Sequence, residues 1–220
     1  MNSHGYYVDV KYWNIVIEDF QKKFLENKNV QFDDTLTMLL PIMNFLWVKY
    51  CKNLSSSNFK NKLLSINPSW YNFESDYVEN KMIQYSNEFE KIITNEILKM
   101  NLDVYDIFGI SAKFSQWICG GIIANKVKEM YPKIKIVLGG LGTSDEAIAM
   151  MNNFDYYDYA IWGEGEYPLL NLCESFETKS FDDVPFLIFR NINRKPQISV
   201  SKKKEYFDLN SGIYPDYFST

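Results

Sequence analysis

Three short runs near the middle of the chain combine residue types that can meet a ligand: Ser111-Ala112-Lys113-Phe114, Gly139-Gly140-Leu141-Gly142-Thr143 and Gly163-Glu164-Gly165-Glu166. Paired glycines let the backbone turn sharply and let a bound group approach the main chain with no Cβ in the way. Thr143 or Ser144 can cap a following helix and leave amide N–H groups pointing outward, toward polar ligand atoms. The glutamates of the third run can accept from ligand amides or hydroxyls, Ser111 adds a hydroxyl, and Phe114 adds a ring. Each run also has a purely structural account. The glycines make a tight strand-to-helix turn, and glutamate complements the N-terminus of a helix. Neither a G-x-G-x-x-G fingerprint nor a phosphate-loop lysine motif accompanies them, which argues against a nucleotide or flavin site.

Each run directly follows an apolar strand. The strands are Ile107–Ser111, Ile134–Gly140 and the segment from Tyr157 that ends in Trp162-Gly163-Glu164-Gly165-Glu166. Between them lie two helical patterns. Ser115–Tyr131 places Ile118, Ile122, Val127 and Met130 near one face, and Ser144–Asn153 carries Ala147, Ile148 and Met151. Nearly continuous apolar strands alternating with amphipathic helices predict a parallel sheet covered on both faces. In such a sheet, ligands bind beyond the carboxyl ends of the strands.

Around this centre, Tyr6–Lys11 alternates and predicts a strand, and Ile15–Leu25 predicts a helix. Asp33–Lys52 predicts a second helix, kinked or split at Pro41. Trp47, Trp70, Tyr71, Phe73 and Tyr77 are candidate pocket roof or ordinary core. Glu79–Met100 has the cleanest helical stripe, from Met82 and Ile83 through Phe89 to Ile97. After the third run, Pro168–Phe176 predicts a helix, and Phe186–Asn191 with Gln197–Ser201 predicts a hairpin. The expected fold class is α/β, a Rossmann-like doubly wound parallel sheet with an added helical N-terminal region and a C-terminal hairpin. Residues 1–180 form the α/β domain with a helical insertion at about 33–100, and 181–220 form hairpin and linker.

Composition narrows the function classes. The 220 residues carry a formal net charge of −5, which gives no general attraction to nucleic acid. The only histidine is His4, and Cys51, Cys119 and Cys173 stand far apart. Histidine-based metal sites and Cys/His or Ser/His catalysis therefore have almost no material. The odd, scattered cysteines read as free thiols in a reducing cytoplasm, and the run Met38–Val48 is too short to span a membrane.

Taken together, several runs carry a resemblance. Ile110–Gln116, the helix Ile122–Glu129 with Tyr131-Pro132, Leu138-Gly139-Gly140 and the Asp158-Tyr159-x-x-x-Gly163-Glu164-Gly165-Glu166 run are similar to the cobalamin-binding domain of cobalamin-dependent radical S-adenosylmethionine enzymes. The nearest likeness is to enzymes that mature ribosomally made peptides. The likeness covers about Asp103–Phe176. It extends more thinly to Tyr6–Asn14 (similar to the family's second strand), Val184–Gln197 and Pro215-Asp216-Tyr217-Phe218. It implies cobalamin as cofactor, held by Ser111, Ala112, Lys113, Phe114, Gly139, Gly140, Leu141, Gly142, Trp162, Gly163, Glu164 and Gly165. Lys113 stands where the family's Ser-x-Leu mark has leucine. The Asp-x-His-x-x-Gly loop is absent, which implies a corrinoid with no histidine below cobalt.

Two further expectations come with the resemblance. The family has a strand and helix before the segment matched by Tyr6, so a gap is expected beside the strand at Ile107. The CxxxCxxC array for an iron–sulfur cluster is also missing, so this chain is not by itself a complete radical enzyme. The implied partners are a radical S-adenosylmethionine enzyme and a precursor peptide, with no nucleic acid and no membrane. The alternative reading is a cofactor-free domain that serves as a peptide-binding or protein-interaction scaffold.

Overall fold

The computed structural model describes residues 5–26, 75–113, 116–178, 180–191 and 197–203. The helix expected over Asp33–Lys52, the aromatics from Trp70 to Phe73, Phe114 and Pro215–Phe218 lie outside the described residues. The chain divides into two compact units. One comprises Met1–Asp106 with Phe114–Ile134, and the other Ile107–Lys113 with Lys135–Thr220.

The second unit contains a five-stranded sheet in the order β1 (Ile107–Ser111), β2 (Lys135–Leu141), β3 (Tyr159–Trp162), β4 (Leu187–Asn191), β5 (Gln197–Val200). β1, β2 and β3 run parallel, while β4 and β5 form the expected antiparallel hairpin and extend the sheet through β3. Among the described residues, no strand pairs with the outer edge of β1. β2 and β3 read as apolar runs because side chains on both faces are covered, whereas β1 alternates, with Phe108 and Ile110 buried and Gly109 and Ser111 exposed. Val137, Tyr159, Ile161, Leu187 and Phe189 pack against Leu172 of the helix Glu166–Thr178 on one face.

The opposite face receives the helix Ser144–Asn153, whose Ala147 and Met151 are fully buried. Arg190 follows Phe189 in β4 and therefore points to this other face. Its guanidinium donates to the carbonyls of Phe154 at 2.8 Å and Tyr157 at 2.8 Å, and also to Met151. The last carbonyls of a helix have no partner within it, and here a planar cation satisfies them and complements the dipole. Helices on both faces make the unit an α/β, Rossmann-like sheet. At the amino ends of the strands, the Asp158 carboxylate accepts from the Ile136 amide at 2.9 Å, so the Asp of the Asp-Tyr-x-x-x-Gly run aligns β3 with β2.

The first unit is helical: α1 (Trp13–Glu26), α2 (Ser75–Lys99) and α3 (Gln116–Met130). Phe20 and Phe24 of α1 pack on Tyr85 and Phe89 of α2, with ring centroids 5.0–5.8 Å apart across the two helices. Lys126 of α3 bridges to Glu90 of α2 at 3.2 Å. The strand expected at Tyr6–Lys11 is not formed. Instead the segment is held through side chains, with Tyr105 donating to Asp9 and Lys11 bridging Glu96. Without a neighbouring edge, alternation alone cannot make a ladder. No described helix is long and apolar enough to cross a membrane.

Replacing Arg190 with lysine keeps the charge but loses the planar fork. We expect Arg190→Lys to lower stability by about 1–3 kcal/mol in urea titrations. A second expectation concerns alkaline pH. Burial, with a smaller contribution from Asp158, pushes the Tyr159 phenol up to about 12. The unfolded chain ionises this group near pH ~10, so the folded state holds the proton longer and stability falls as pH rises from about 10 to 12. Urea midpoints across that range should fall less steeply for Tyr159→Phe than for the wild type.

Candidate functional site

The parallel register places the carboxyl ends of β1, β2 and β3 along one rim of the second unit, with Ser111 beside Gly139 and Leu141 beside Trp162. Main-chain hydrogen bonds join the three loops in series. Ala112 donates to the Gly139 carbonyl at 2.9 Å, and Gly163 donates to the Leu141 carbonyl at 2.9 Å. The β2–β3 register shifts between Leu138 and Leu141, where the Gly139-Gly140 pair lies, as a β-bulge would require.

Gly140 is the tightest point. Its φ is +80°, and a Cβ there would lie 2.9 Å from Ser111 Oγ and 3.0 Å from the amide nitrogens of Ala112 and Lys113. The space left by the missing side chain is thus filled by the chain's own first loop. Gly139 differs: its nearest neighbour to such a Cβ is the Ile110 carbonyl oxygen at 3.8 Å, an ordinary contact. Gly163 takes φ +73°, and a Cβ at Gly163 or Gly165 would meet nothing within 4 Å, so main chain there faces open space.

Three amides at the start of the helix Ser144–Asn153 are already taken, those of Gly142, Thr143 and Glu146. Thr143 caps the helix Ser144–Asn153 by accepting from the Glu146 amide at 3.2 Å, and Glu146 Oε2 accepts from Gly142 at 2.8 Å and Thr143 at 3.3 Å. This capping box fills the anion position at the helix N-terminus with the protein's own carboxylate. The Thr143-x-x-Glu146 spacing is legible in sequence, and it occupies the amides of Gly142, Thr143 and Glu146 at that turn. Asp145, Glu146, Glu164 and Glu166 give the rim a local excess of carboxylates, against the exposed cation Lys113. That balance disfavours phosphate.

Of the predicted residues, Ser111, Ala112, Lys113, Gly139, Gly140, Leu141, Trp162 and Gly163 come together on this rim through the contacts above. Gly142, Glu164 and Gly165 follow directly in the same loops. Two features carry no sequence signal. Trp162 Nε1 is buried with no hydrogen-bond partner among the described residues. Phe186, packed edge-on against the Trp162 indole at 4.6 Å, has φ +53°. A bulky residue in the left-handed region and an unsatisfied buried donor each cost stability, and such costs cluster at functional sites. Among the described residues, no three His, Cys, Asp or Glu side chains gather as a metal site requires.

The two kinds of glycine should respond differently to a methyl group. Gly140→Ala meets both a forbidden φ and backbone atoms at 3.0 Å, so a loss of roughly 2–4 kcal/mol is expected in denaturant titrations. Gly165→Ala meets nothing within 4 Å and should change stability by less than about 1 kcal/mol. No protein-family model matches the chain, and no curated protein matches it either.

Proposed function

We propose that the second unit is a cobalamin-binding module that holds a corrinoid at the carboxyl-end rim of β1, β2 and β3. The observation that carries this reading is the bonding of three ligand-suited loops into one edge: Ala112 to Gly139, and Leu141 to Gly163. Two features test the fit. Main chain is bare at Gly163 and Gly165, and the Trp162 indole N–H is a buried donor with no acceptor among the described residues. Corrinoids are large and carry peripheral amides, and a cobalamin confines its one phosphodiester to the nucleotide tail, so the amide-bearing ring edge suits a rim rich in carboxylates. Ser111, Gly139, Gly140 and Trp162–Gly165 would hold the group, which when bound supplies a cobalt-centred methyl carrier.

With no CxxxCxxC in these 220 residues, radical generation would come from S-adenosylmethionine chemistry outside them, acting on a precursor peptide. Cys119 and Cys173, buried and outside any disulfide, suit a reducing, cytoplasmic setting. A second reading, a peptide-binding scaffold without cofactor, is favoured by a specific feature of the first unit. A trough of about 540 Å³ runs between α1 and α2, with an apolar floor that includes Ile15, Phe20 and Ile92 and charged walls from Asp19, Lys23, Glu88 and Glu96. Beside it in sequence, Tyr7, Val10 and Tyr12 are 76%, 70% and 64% exposed.

Titration of the purified chain with hydroxocobalamin separates the readings. Corrinoid binding predicts a shift of the visible bands and retention of one corrinoid per chain through desalting. Free passage of the corrinoid with an unchanged spectrum rejects it.

A further inference from the structure

We infer that Trp162 is a specificity-determining residue of the rim: its indole N–H is held for a neutral carbonyl acceptor on the bound ligand, and the Phe186 backbone is strained to aim the ring. This deepens the cobalamin reading and rests on it. Three features concentrate at one corner: an orphan donor at Trp162, a strained φ at Phe186 and a left-handed Gly163.

Trp162 ends β3, and its Nε1 is buried with no acceptor among the described residues. Its backbone N–H donates to the Phe186 carbonyl at 3.3 Å, and the Phe186 amide donates to the Lys203 carbonyl at 3.4 Å. Phe186 itself is buried, at 5% exposure, with φ +53°. Gly163, the residue after Trp162, is also left-handed, and nothing occupies the space beside its α-carbon.

A corner shaped only for stability would place a less costly residue at each point. Leucine or phenylalanine fills apolar space without an orphan donor, and glycine or asparagine takes positive φ more readily than phenylalanine. The edge-to-face packing at 4.6 Å fixes the indole plane. The strained residue therefore orients the unsatisfied one. An unmade hydrogen bond of this kind is most valuable when a ligand completes it, because the site then rejects ligands that lack the acceptor.

The charge around the corner chooses among acceptors. Glu164 and Glu166 follow within four residues of Trp162, and both are exposed carboxylates. They repel a ligand carboxylate or phosphate. A neutral amide carbonyl remains, the group that the corrinoid periphery carries in several copies. Nε1 lies out of solvent in the free protein, so the carbonyl reaches the fixed indole as the Gly163 main chain, which has open space beside its α-carbon, moves aside.

The test replaces Trp162 with benzothienylalanine, a tryptophan isostere with sulfur in place of N–H, and uses Trp162→Phe as a second variant. The readouts are thermal midpoint, hydroxocobalamin affinity, and the indole N–H resonances of ¹⁵N-tryptophan-labelled wild type, with Trp162 assigned by its absence from Trp162→Phe. The isostere should keep or raise the midpoint while affinity falls about tenfold. On adding hydroxocobalamin to the wild type, the Trp162 indole proton should move downfield. Binding by the wild type with an unmoved Trp162 resonance, or equal affinity in the isostere, overturns this inference and leaves the cobalamin reading standing. No binding by the wild type overturns both.

Discussion

The close approach at Gly140 is the constraint on which the rim depends. Its α-carbon sits where a side chain would strike Ser111 Oγ and the amides of Ala112 and Lys113. That contact packs the end of β1 against the turn after β2. The next link, from Gly163 to the Leu141 carbonyl, adds the end of β3. Three loops that are separate in sequence thereby become one edge with a fixed spacing. A ligand wide enough to touch all three meets a surface whose ordering cost has already been met by folding.

The sheet supplies the rigidity behind this edge. One face is sealed by Leu172 against Val137, Tyr159, Ile161, Leu187 and Phe189. The other is sealed by the helix Ser144–Asn153, whose C-terminal carbonyls are satisfied by Arg190 from β4. Asp158 ties β3 to β2 at the far ends of the strands. Conserving energy at the amino ends while tolerating strain at Phe186 and an unmet donor at Trp162 is the usual division between scaffold and site.

Much of this was legible in the sequence because strand and helix periods leave strong marks. Ile107–Ser111 and Ser144–Asn153 emerge with the expected bounds, and the hairpin at Leu187–Val200 was marked by two strand-like runs flanking the turn residues Asn193-Arg194-Lys195-Pro196. Tyr6–Lys11 misleads because a strand is a relation between two segments, and its period is a local property. What the glycines touch was not legible either: Gly139 and Gly140 look equivalent on paper, yet only Gly140 is pressed against backbone. The capping box at Thr143 and Glu146 was readable from spacing. The left-handed Phe186 was not, since nothing local in that residue asks for positive φ.

The charge pattern ties structure to the proposed ligand. A parallel sheet with glycine turns commonly offers its helix N-termini to phosphate. Here Glu146 occupies that position, and Glu164 and Glu166 extend the negative edge. Such a rim suits a broad, amide-bearing, weakly charged ligand better than a nucleotide. The central claim is best tested by amide hydrogen exchange of the full chain with and without hydroxocobalamin. The account predicts added protection confined to residues 111–113, 139–142 and 162–165. Protection confined instead to α1 and α2, or none anywhere, would contradict it.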